Sequence, residues 1–520
     1  MDKNKTKIGK DVIESLTTSM YDDHRSIYRE YIQNSADQID IAFEQGFIKS
    51  KEEGKIEIKI NKNERSISIY DNGTGIPKEK VLPILKNIAQ GVKDRAKHKG
   101  FRGIGRLGGL GYCDKLVFET SYYGETEKSI LTWDAKQLRT IFNDRSKKED
   151  AIEVIDTITS LKIVNAKAEE RYFKVTLENV SNDILLDKDN IHNYLSMIAP
   201  VPYKKGFFYE NDIYEKAKEY DYPIDEYNTY LNNNQIFKEY TTSVYEGDKQ
   251  NNRKKIDQIF DIDFFEIKNS YNELLCWGWF SNSKLKQQMP EVNIARGLRL
   301  RKGNIQIGDE NRLADFFVIN NIQDKRFSFY FFGEIFAVST DLIPNARRDN
   351  FIENKAFKKF EKELRIEFKK LKDFCYLSSN IRSEERKIEK LSDAQEEFKK
   401  KVERGFTKPA EKKEYEKKLE RINQDAVNAR EKIEKIKSKV SADESKKKLV
   451  DKLVSEIKEE TVITNNDVQN NKTPLMTDNL PNFNRKDRKL TGRILSIIDM
   501  ILPKETSEMV KRKIIEELNK

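Results

Sequence analysis

Three short segments hold residues whose types and spacing suit phosphate chemistry. The first is Glu30-Tyr-Ile-Gln-Asn34-Ser-Ala-Asp37, and the second is Asp71-Asn-Gly73-Thr-Gly75-Ile-Pro77. The third is a glycine run, Gly100, Gly103, Gly105, Gly108, Gly109 and Gly111, with Lys99 in front and Arg102 and Arg106 within it. Hydrolysis of a nucleoside triphosphate needs an aimed water, a base, a cation to offset phosphate charge and donors for the oxygens. Glu30 can orient and deprotonate the water. Asn34, one helical turn later, offers a neutral carbonyl oxygen, the hard ligand wanted by a Mg²⁺ already held by phosphates and waters. Asp37 would hold the site through water or through Asp71. Asp71 can accept the exocyclic N–H of adenine, and Gly73 and Gly75 let the backbone turn close to the base. The amides of the glycine run can form an anion nest, with Lys99, Arg102 and Arg106 adding positive charge. The expected cofactors are therefore ATP and Mg²⁺. Each segment alone is weak evidence, since an isolated DNGTG reads better as a plain Asn-Gly turn.

These groups must be positioned by elements that can be read from periodicity. Residues 10–46 read as helices. With Glu30 set at zero, Asn34 falls at about 40° and Asp37 at about −20°, while Tyr28, Ile32, Ile39 and Phe43 fall at about 160° to 220°. One face is thus expected to be buried, and the other carries a carboxylate, an amide and a second carboxylate in one stripe. An ordinary surface helix would also be polar there. Residues 56–60 and 66–70 alternate about the turn Asn61-Lys-Asn-Glu64, a β-hairpin whose second strand runs into Asp71. Pro77 opens an expected helix over residues 78–90, and residues 115–122, 128–134 and 171–178 read as strands. The expected fold class is α/β, an α+β sandwich of one mostly antiparallel sheet with helices on one face.

Gly103-Ile-Gly105-Arg-Leu-Gly108 also fits GxGxxG. A dinucleotide fold would place that motif after the first strand of a βαβ unit, and here an expected helix and the lysine-rich stretch Lys93–Lys99 precede it. HRD, DFG and GxxxxGK[ST] do not occur, which excludes kinase and P-loop readings.

The rest of the chain divides by composition. The expected domains are residues 1–185 (nucleotide-binding), 186–375 (a second α/β, transducer-like domain), 376–460 (a helical hairpin), 461–488 (a linker) and 489–520 (a C-terminal helical segment). Residues 200–260 are rich in Tyr, Asn and Asp with few periodic signals, and residues 275–280, 292–307 and 327–338 are strand-like. A polar loop, Leu342 to Asp349, then leads to an expected helix from about 350 to 375. Residues 381–458 are helical, with Tyr415, Leu419, Ile422, Ala426, Ala429, Ile433, Ile436 and Val440 in unbroken 4,3 alternation. Gly405 and Pro409 break that helix into two arms, which suggests an antiparallel hairpin. Residues 461–488 read as a flexible linker. Ile494, Leu495, Ile497, Ile498 and Ile501, then Val510, Ile514, Ile515 and Leu518, form apolar helices too small to stand alone, expected to dock on a partner or a second copy.

At 520 residues the chain is too long for one core. Lys+Arg 97 against Asp+Glu 88 leaves +9, which permits contact with nucleic acid without requiring it. Charged residues at 36% and a mean hydropathy of −0.79 imply much exposed helix. Cys113, Cys276 and Cys375 have no CxxC spacing, which argues for a reducing compartment and against a disulfide framework or zinc site. The 3 histidines, His24, His98 and His192, form no ligand pair. The start MDKNKTKIGKDVIESL lacks an apolar core, and Ile494 to Leu502 is too short and too polar to span a bilayer. The expectation is a cytoplasmic protein without membrane contact.

The ordered set EYIQNSAD, DNGTGIP and GFRGIGRLGGLG resembles the GHKL ATPase superfamily. That superfamily includes the ninety-kilodalton heat-shock chaperones, MutL mismatch-repair proteins, MORC proteins, type II topoisomerase ATPase subunits and histidine kinases. The resemblance covers residues ~10–180 and implies the Bergerat nucleotide-binding fold. It implies Glu30 as general base, Asn34 as Mg²⁺ ligand, Asp71 as adenine contact and Gly100–Gly111 as the ATP lid. Asp341-Leu-Ile-Pro-Asn345-Ala-Arg347-Arg348-Asp349 resembles the middle-domain loop of the heat-shock chaperones, in which an arginine reaches the γ-phosphate. Arg348 takes that position, with Arg347 as backup. A histidine kinase is disfavoured, since no phosphoacceptor histidine lies upstream of Glu30 with room for a dimerisation domain. The family carries Gly-Thr before its last ATP-site strand, whereas Arg171-Tyr-Phe173-Lys-Val175-Thr-Leu177 has Tyr and Phe, which implies weaker ATP binding.

Taken together, the resemblance implies an ATPase that works as a nucleotide-gated clamp, with a homodimer as the expected assembly. Three roles stay open. A MORC- or MutL-like clamp on DNA is favoured by the charge and the lysine-rich arm. A chaperone-like machine would act on protein clients through the coiled-coil arm. An ATP sensor without turnover would assemble with a partner effector, for example in bacterial anti-phage defence.

Overall fold

The computed structural model describes residues 8–17, 22–88, 105–144, 146, 148–247, 252–318, 321–457, 475–480 and 482–520. The chain divides into two units, residues 1–283 with 287–371 and residues 284–286 with 372–520.

The first unit begins with α1 (Asp11–Thr17) and α2 (Ser26–Glu44), then the hairpin β1 (Lys55–Asn61) and β2 (Ser66–Asp71). Alternation places Ile58 opposite Ile69 and Ile60 opposite Ile67. The turn closes because Asn61 Oδ1 accepts from the Asn63 and Glu64 amides, at 3.1 and 3.2 Å. The expected helix over 78–90 is much shorter. A 3₁₀ turn, Lys78–Lys80, leads into α3 (Val81–Leu85), and residues 89 and 90 lie outside the described ones. Pro83 is tolerated only because it sits in the first turn of α3.

There follow β3 (Lys115–Ser121), β4 (Glu127–Asp134), α4 (Ala135–Asn143), α5 (Ala151–Ile158), β5 (Thr159–Asn165), β6 (Tyr172–Glu178) and α6 (Lys188–Ile198). Residues 200–260, where periodicity is poor, hold α7 (Glu210–Glu219), β7 (Asn228–Leu231), β8 (Asn234–Gln235), β9 (Ser243–Glu246) and β10 (Lys254–Gln258). These elements are too short for their pattern to stand out. The large sheet has the order β5-β4-β3-β6-β2-β1-β7-β8, antiparallel throughout except for β1 beside β7. Its inward residues, among them Ile58, Ile69, Phe118 and Val175, pack against Ile32 and Ile39 of α2, Leu138 of α4 and Leu195 of α6. This is the expected sandwich of a mostly antiparallel sheet with a helical layer.

A second sheet, β11-β12-β15-β13-β14, is built from β11 (Asp261–Lys268), β12 (Leu274–Asn282), β13 (Gly297–Lys302), β14 (Ile305–Ile307) and β15 (Phe332–Ala337). The strand expected over 327–338 covers only its second half, since Ile322–Tyr330 is 3₁₀. Buried Lys238, Arg301 and Glu334, each 0% exposed, bind the end of the first sheet to the second. Lys238 Nζ lies 3.2 Å from Glu334, Arg301 Nε donates to the same carboxylate, and Arg301 Nη2 donates to the Met197 carbonyl at 2.8 Å.

α8 (Lys355–Arg404) is one continuous helix, not two separated near residue 375, because residues 372–380 contain neither Gly nor Pro. In the second unit it packs antiparallel to α9 (Pro409–Val440), with Ile388 against Ala429 and Ile433 and Leu391 near Ala426. Gly405, at φ +82°, makes the reversal, and Pro409 opens α9. α10 (Glu444–Val454) folds back on the hairpin. Within the expected linker, residues 475–480 are packed rather than loose. Leu475 bridges Phe406, and Leu480 is buried, because both are apolar beside the hairpin turn. α11 (Arg485–Ile501) and α12 (Lys504–Leu518) close the chain, and Leu495 of α11 is fully buried. No helix among the described residues is long and apolar enough to cross a membrane.

Candidate functional site

α2 carries the first candidate group. Its Tyr28, Ile32 and Ile39 face the sheet as the phase requires, but Phe43 is 43% exposed, while Ala42 beside it is buried. The polar stripe is not a solvent face. Glu30 is 8% exposed and Asp37 1%, and Asn34 is half-buried between them. Charged groups are rarely this buried without a purpose.

The glycine run covers Glu30. Gly105 begins a 3₁₀ helix, Gly105–Gly111, and a Cβ on Gly105 would stand 2.2 Å from Glu30 Oε2. The stem is tied to α2 by Tyr31, whose hydroxyl donates to the Arg106 carbonyl at 3.0 Å and accepts from the Gly109 amide at 3.2 Å. Gly108, Gly109 and Gly111 belong to this stem. Arg106 turns its guanidinium to the Asn87 carbonyl, and burial lowers it to about 10. Lys99, Gly100, Arg102 and Gly103 lie outside the described residues. Among the described residues the run is followed by β3, and the last regular element before it is the short helix α3, not the strand that the dinucleotide motif would need.

Asp71 ends β2 and is 1% exposed. Its Oδ1 accepts from the Gly73 amide at 3.0 Å. The turn is pressed against α2, since Thr74 Oγ1 donates to Gln38 Oε1 at 2.5 Å and a Cβ on Gly73 would stand 2.6 Å from Gln38 Cβ. Gly75 is at φ +68°, and a Cβ there would strike the Ser121 carbonyl at 1.9 Å, so only glycine fits. Arg171 clamps the turn from the other side, donating to the Gly73 carbonyl at 2.8 Å and the Phe47 carbonyl at 3.2 Å.

Phe173 pairs directly with Asp71 across the ladder, and Thr120 pairs with Phe173, so the three share one face of the sheet. The ring of Phe173 stacks on Phe118 with centroids 5.9 Å apart. The hydroxyl in this row is therefore that of Thr120. It is already committed, accepting from the Ile76 amide at 2.8 Å and donating to the Tyr172 carbonyl at 3.0 Å.

The loop between β15 and α8 brings a second cation to Glu30. Arg348 is 7% exposed and sits at φ +55°, in the left-handed region that costs a non-glycine residue about 1 kcal/mol. The loop enforces it through the Gly308 amide donating to the Arg348 carbonyl at 2.8 Å and the Asn345 amide donating to the Asn350 carbonyl at 2.8 Å. Arg348 Nε stands 4.0 Å from Glu30 Oε1, and Arg29 Nε stands 3.7 Å from the same oxygen. Glu30 Oε1 accepts no hydrogen bond among the described residues. Arg347 turns outward to Asp22, at 3.6 Å, and only its carbonyl reaches inward, accepting from Arg29 Nη2 at 2.9 Å. The structure thus brings Arg348, and not Arg347, to Glu30.

The donor set fits a magnesium nucleotide. There is a buried carboxylate oxygen without a hydrogen-bonded partner, a half-buried amide one turn along the same helix, a buried acceptor at the strand end, and glycines where any Cβ would fill the space. Arg29, Gln38, Thr120 and Arg171 escaped the sequence analysis. Arg29 falls about 100° off the polar stripe, and the other three are recognisable only once strands and turn are in contact. A first test uses Gly105→Ala. Its clash is with the mobile end of a side chain, so the melting temperature is expected to stay near that of the parent. Phosphate release should fall by at least about tenfold as the carboxylate is displaced.

Buried carboxylate, glycine-covered stem and strand-end aspartate stand together in one α+β sandwich. Residues 27–163 match the family described as histidine kinase-, DNA gyrase B-, and HSP90-like ATPase, and they form a GHKL ATPase domain. The chain is 30% identical over 144 residues to the chaperone protein HtpG of Buchnera aphidicola subsp. Acyrthosiphon pisum, which covers 24% of this chain and 23% of that protein. It is 24% identical over 194 residues to HtpG of Campylobacter jejuni, covering 34% of this chain and 32% of the relative. The chain thus spans about a quarter to a third of the length of these curated relatives. Among solved structures, it is similar to the ATPase region of Saccharomyces cerevisiae topoisomerase II, at 14% identity and a TM-score of 0.35, over 67% of this chain and 85% of that one.

Proposed function

We propose that this chain hydrolyses ATP with Mg²⁺ and uses the cycle to open and close a dimeric clamp. The observation that carries the reading is Glu30, buried in a GHKL ATPase domain under Gly105 and beside Arg348. Bound Mg-ATP would supply the γ-phosphoryl group and the cation that offsets its charge. Glu30 takes a proton from water as the water oxygen bonds to the γ-phosphorus and the bond to the bridging oxygen of ADP breaks, leaving ADP and phosphate. Arg348 offsets the charge that develops there, and Asn34 offers its carbonyl oxygen to the cation. Asp71 accepts from adenine. The stem Gly105–Gly111, which covers Glu30, would shield it from bulk water.

The second unit suits a docking arm and a dimer contact. On α11, Leu490, Ile494, Ile497 and Ile501 are 60%, 45%, 50% and 72% exposed. Their 4,3,4 spacing makes one apolar stripe, the pattern by which two helices pair. The opposite side of α11, through Leu495, is spent on the chain's own packing. Deleting residues 489–520 is expected to convert nucleotide-free dimers to monomers in light scattering. A dimer that survives would refute this contact.

Two substrates of the clamp are favoured by different observations. The charge of +9 and the lysine-rich hairpin favour duplex DNA. The HtpG relatives are chaperones, which favours protein clients. The deciding experiment is ATPase activity with and without duplex DNA, and with and without an unfolded protein, with Glu30→Ala as the blank. Stimulation that falls steeply with salt supports the DNA clamp, and stimulation by unfolded protein supports the chaperone. ATP binding with no turnover under any condition would leave the sensor reading and overturn the hydrolytic one.

A further inference from the structure

We infer that the first unit holds a second anion site, separate from the nucleotide site and built for a small organic phosphate. A cavity of about 530 Å³ lies between the N-terminal half of α2, α6 and the β13–β14 edge. That is the size of small-molecule sites. Its walls include Arg29, Tyr194, Arg299, Gln306 and Arg312, with Met197 beside them, but not Glu30, Asn34, Asp71 or Gly105. Helical phase explains the separation. Ser26 and Arg29, three residues apart, share a face of α2, and Glu30 is turned about 100° from Arg29.

Two guanidiniums form the floor. Arg29 and Arg299 are each 5% exposed. Arg299 donates only to neutral acceptors among the described residues, the Ile294 carbonyl at 2.7 Å, the Arg296 carbonyl at 3.3 Å and Gln306 Oε1 at 3.3 Å. Its closest recorded carboxylate is Glu310, at 3.8 Å. Arg29 donates to the Arg347 carbonyl and stands 3.7 Å from Glu30. Among the described residues, the Nε atoms of Arg29, Arg299 and Arg312 are all buried without a hydrogen-bond partner. Burial lowers the pKa of Arg299 and of Arg312, the mark of a cation that its surroundings do not fully compensate.

Among the described residues no carboxylate on this cavity hydrogen-bonds to the floor: Glu310 stays 3.8 Å from Arg299, Asp309 accepts from Asn311, and Asp349 accepts from Asn345. Asp23 is taken by Arg25, and Glu291, 85% exposed, by Arg296. Asp22 is 90% exposed and faces Arg347. Buried guanidinium N–H groups without hydrogen-bond partners are costly, and an anion that fills the cavity relieves the cost. Phosphate matches their forked donors best. The phenol of Tyr194 and the side chains of Met197, Ile198 and Ile294 leave an apolar wall for an organic body. Because Arg29 touches both this cavity and Glu30, occupancy would also change ATP turnover. That consequence rests on the proposed ATPase activity, whereas binding itself does not.

The test uses the full-length chain and inorganic pyrophosphate, with chloride holding ionic strength constant. Calorimetry and thermal melting should show saturable binding that is unchanged in Asp71→Asn and weakened at least about tenfold in Arg299→Met. Without pyrophosphate, Arg299→Met should melt no lower than the parent, since it removes a buried charge whose nearest recorded carboxylate, Glu310 at 3.8 Å, makes no hydrogen bond to it. Arg312→Gln, nearer the surface, should also weaken binding and serves if Arg299→Met does not fold. Absence of saturable binding, loss of binding in Asp71→Asn, or unchanged affinity in Arg312→Gln would each overturn the site.

Discussion

Glu30→Ala is expected to bind ATP about as well as the parent and to release phosphate about 10²- to 10⁴-fold more slowly, the usual worth of a positioned general base. The separation of the two effects follows from position. Glu30 lies under the lid stem at Gly105, whereas adenine recognition falls to Asp71, on a different element. Removing the carboxylate also leaves Arg29 and Arg348 without their shared counter-charge. Residual positive charge near the γ-phosphate would then favour ATP binding rather than oppose it. Glu30→Gln, which preserves volume, should behave alike. Calorimetry with ATP and single-turnover phosphate release measure the two quantities separately. Turnover near the parental rate would take Glu30 out of the base's role.

Asp71→Asn should have the opposite signature. ATP affinity is expected to fall by about a hundredfold, near the upper end of the 1.5–3 kcal/mol range for a hydrogen bond to a charged group. The residue is 1% exposed, so water cannot substitute for the lost acceptor. Its Oδ1 also holds the Gly73 amide, and an asparagine that keeps that contact must point its NH₂ at the adenine donor. A donor then faces a donor in a dry site. Unchanged affinity in calorimetry would place adenine recognition elsewhere. Phe173, beside Asp71 in the ladder, adds a ring and no hydroxyl to that face of the sheet.

Much of the site was readable because local chemistry and local periodicity agree. The hairpin through Ile56, Ile58, Ile67 and Ile69 alternates cleanly, so its end at Asp71 follows. Glu30, Asn34 and Asp37 share a helical face by spacing alone. The hairpin of α8 and α9 was legible from its 4,3 alternation and its Gly405 and Pro409 breaks. The helix over 78–90 and the strand over 327–338 were too long, since neither Pro83 within a first turn nor a 3₁₀ run leaves a strong pattern.

The order and identity of the chemical groups were determined by sequence alone: a carboxylate and an amide one turn apart, an aspartate at a strand end, and a glycine run after them. Periodicity and side-chain chemistry are local, so they survive without coordinates. Which charges are buried, and beside what, was decided only by the tertiary structure. Arg348 reaches Glu30 from 318 residues away, as does the Arg347 carbonyl that accepts from Arg29. Arg171 grips the Asp71 turn from 98 residues away. The floor of the second cavity joins α2 to β13. The physical reason is that burial is a property of surfaces in contact, and a guanidinium's cost or use depends on neighbours that chain order does not name.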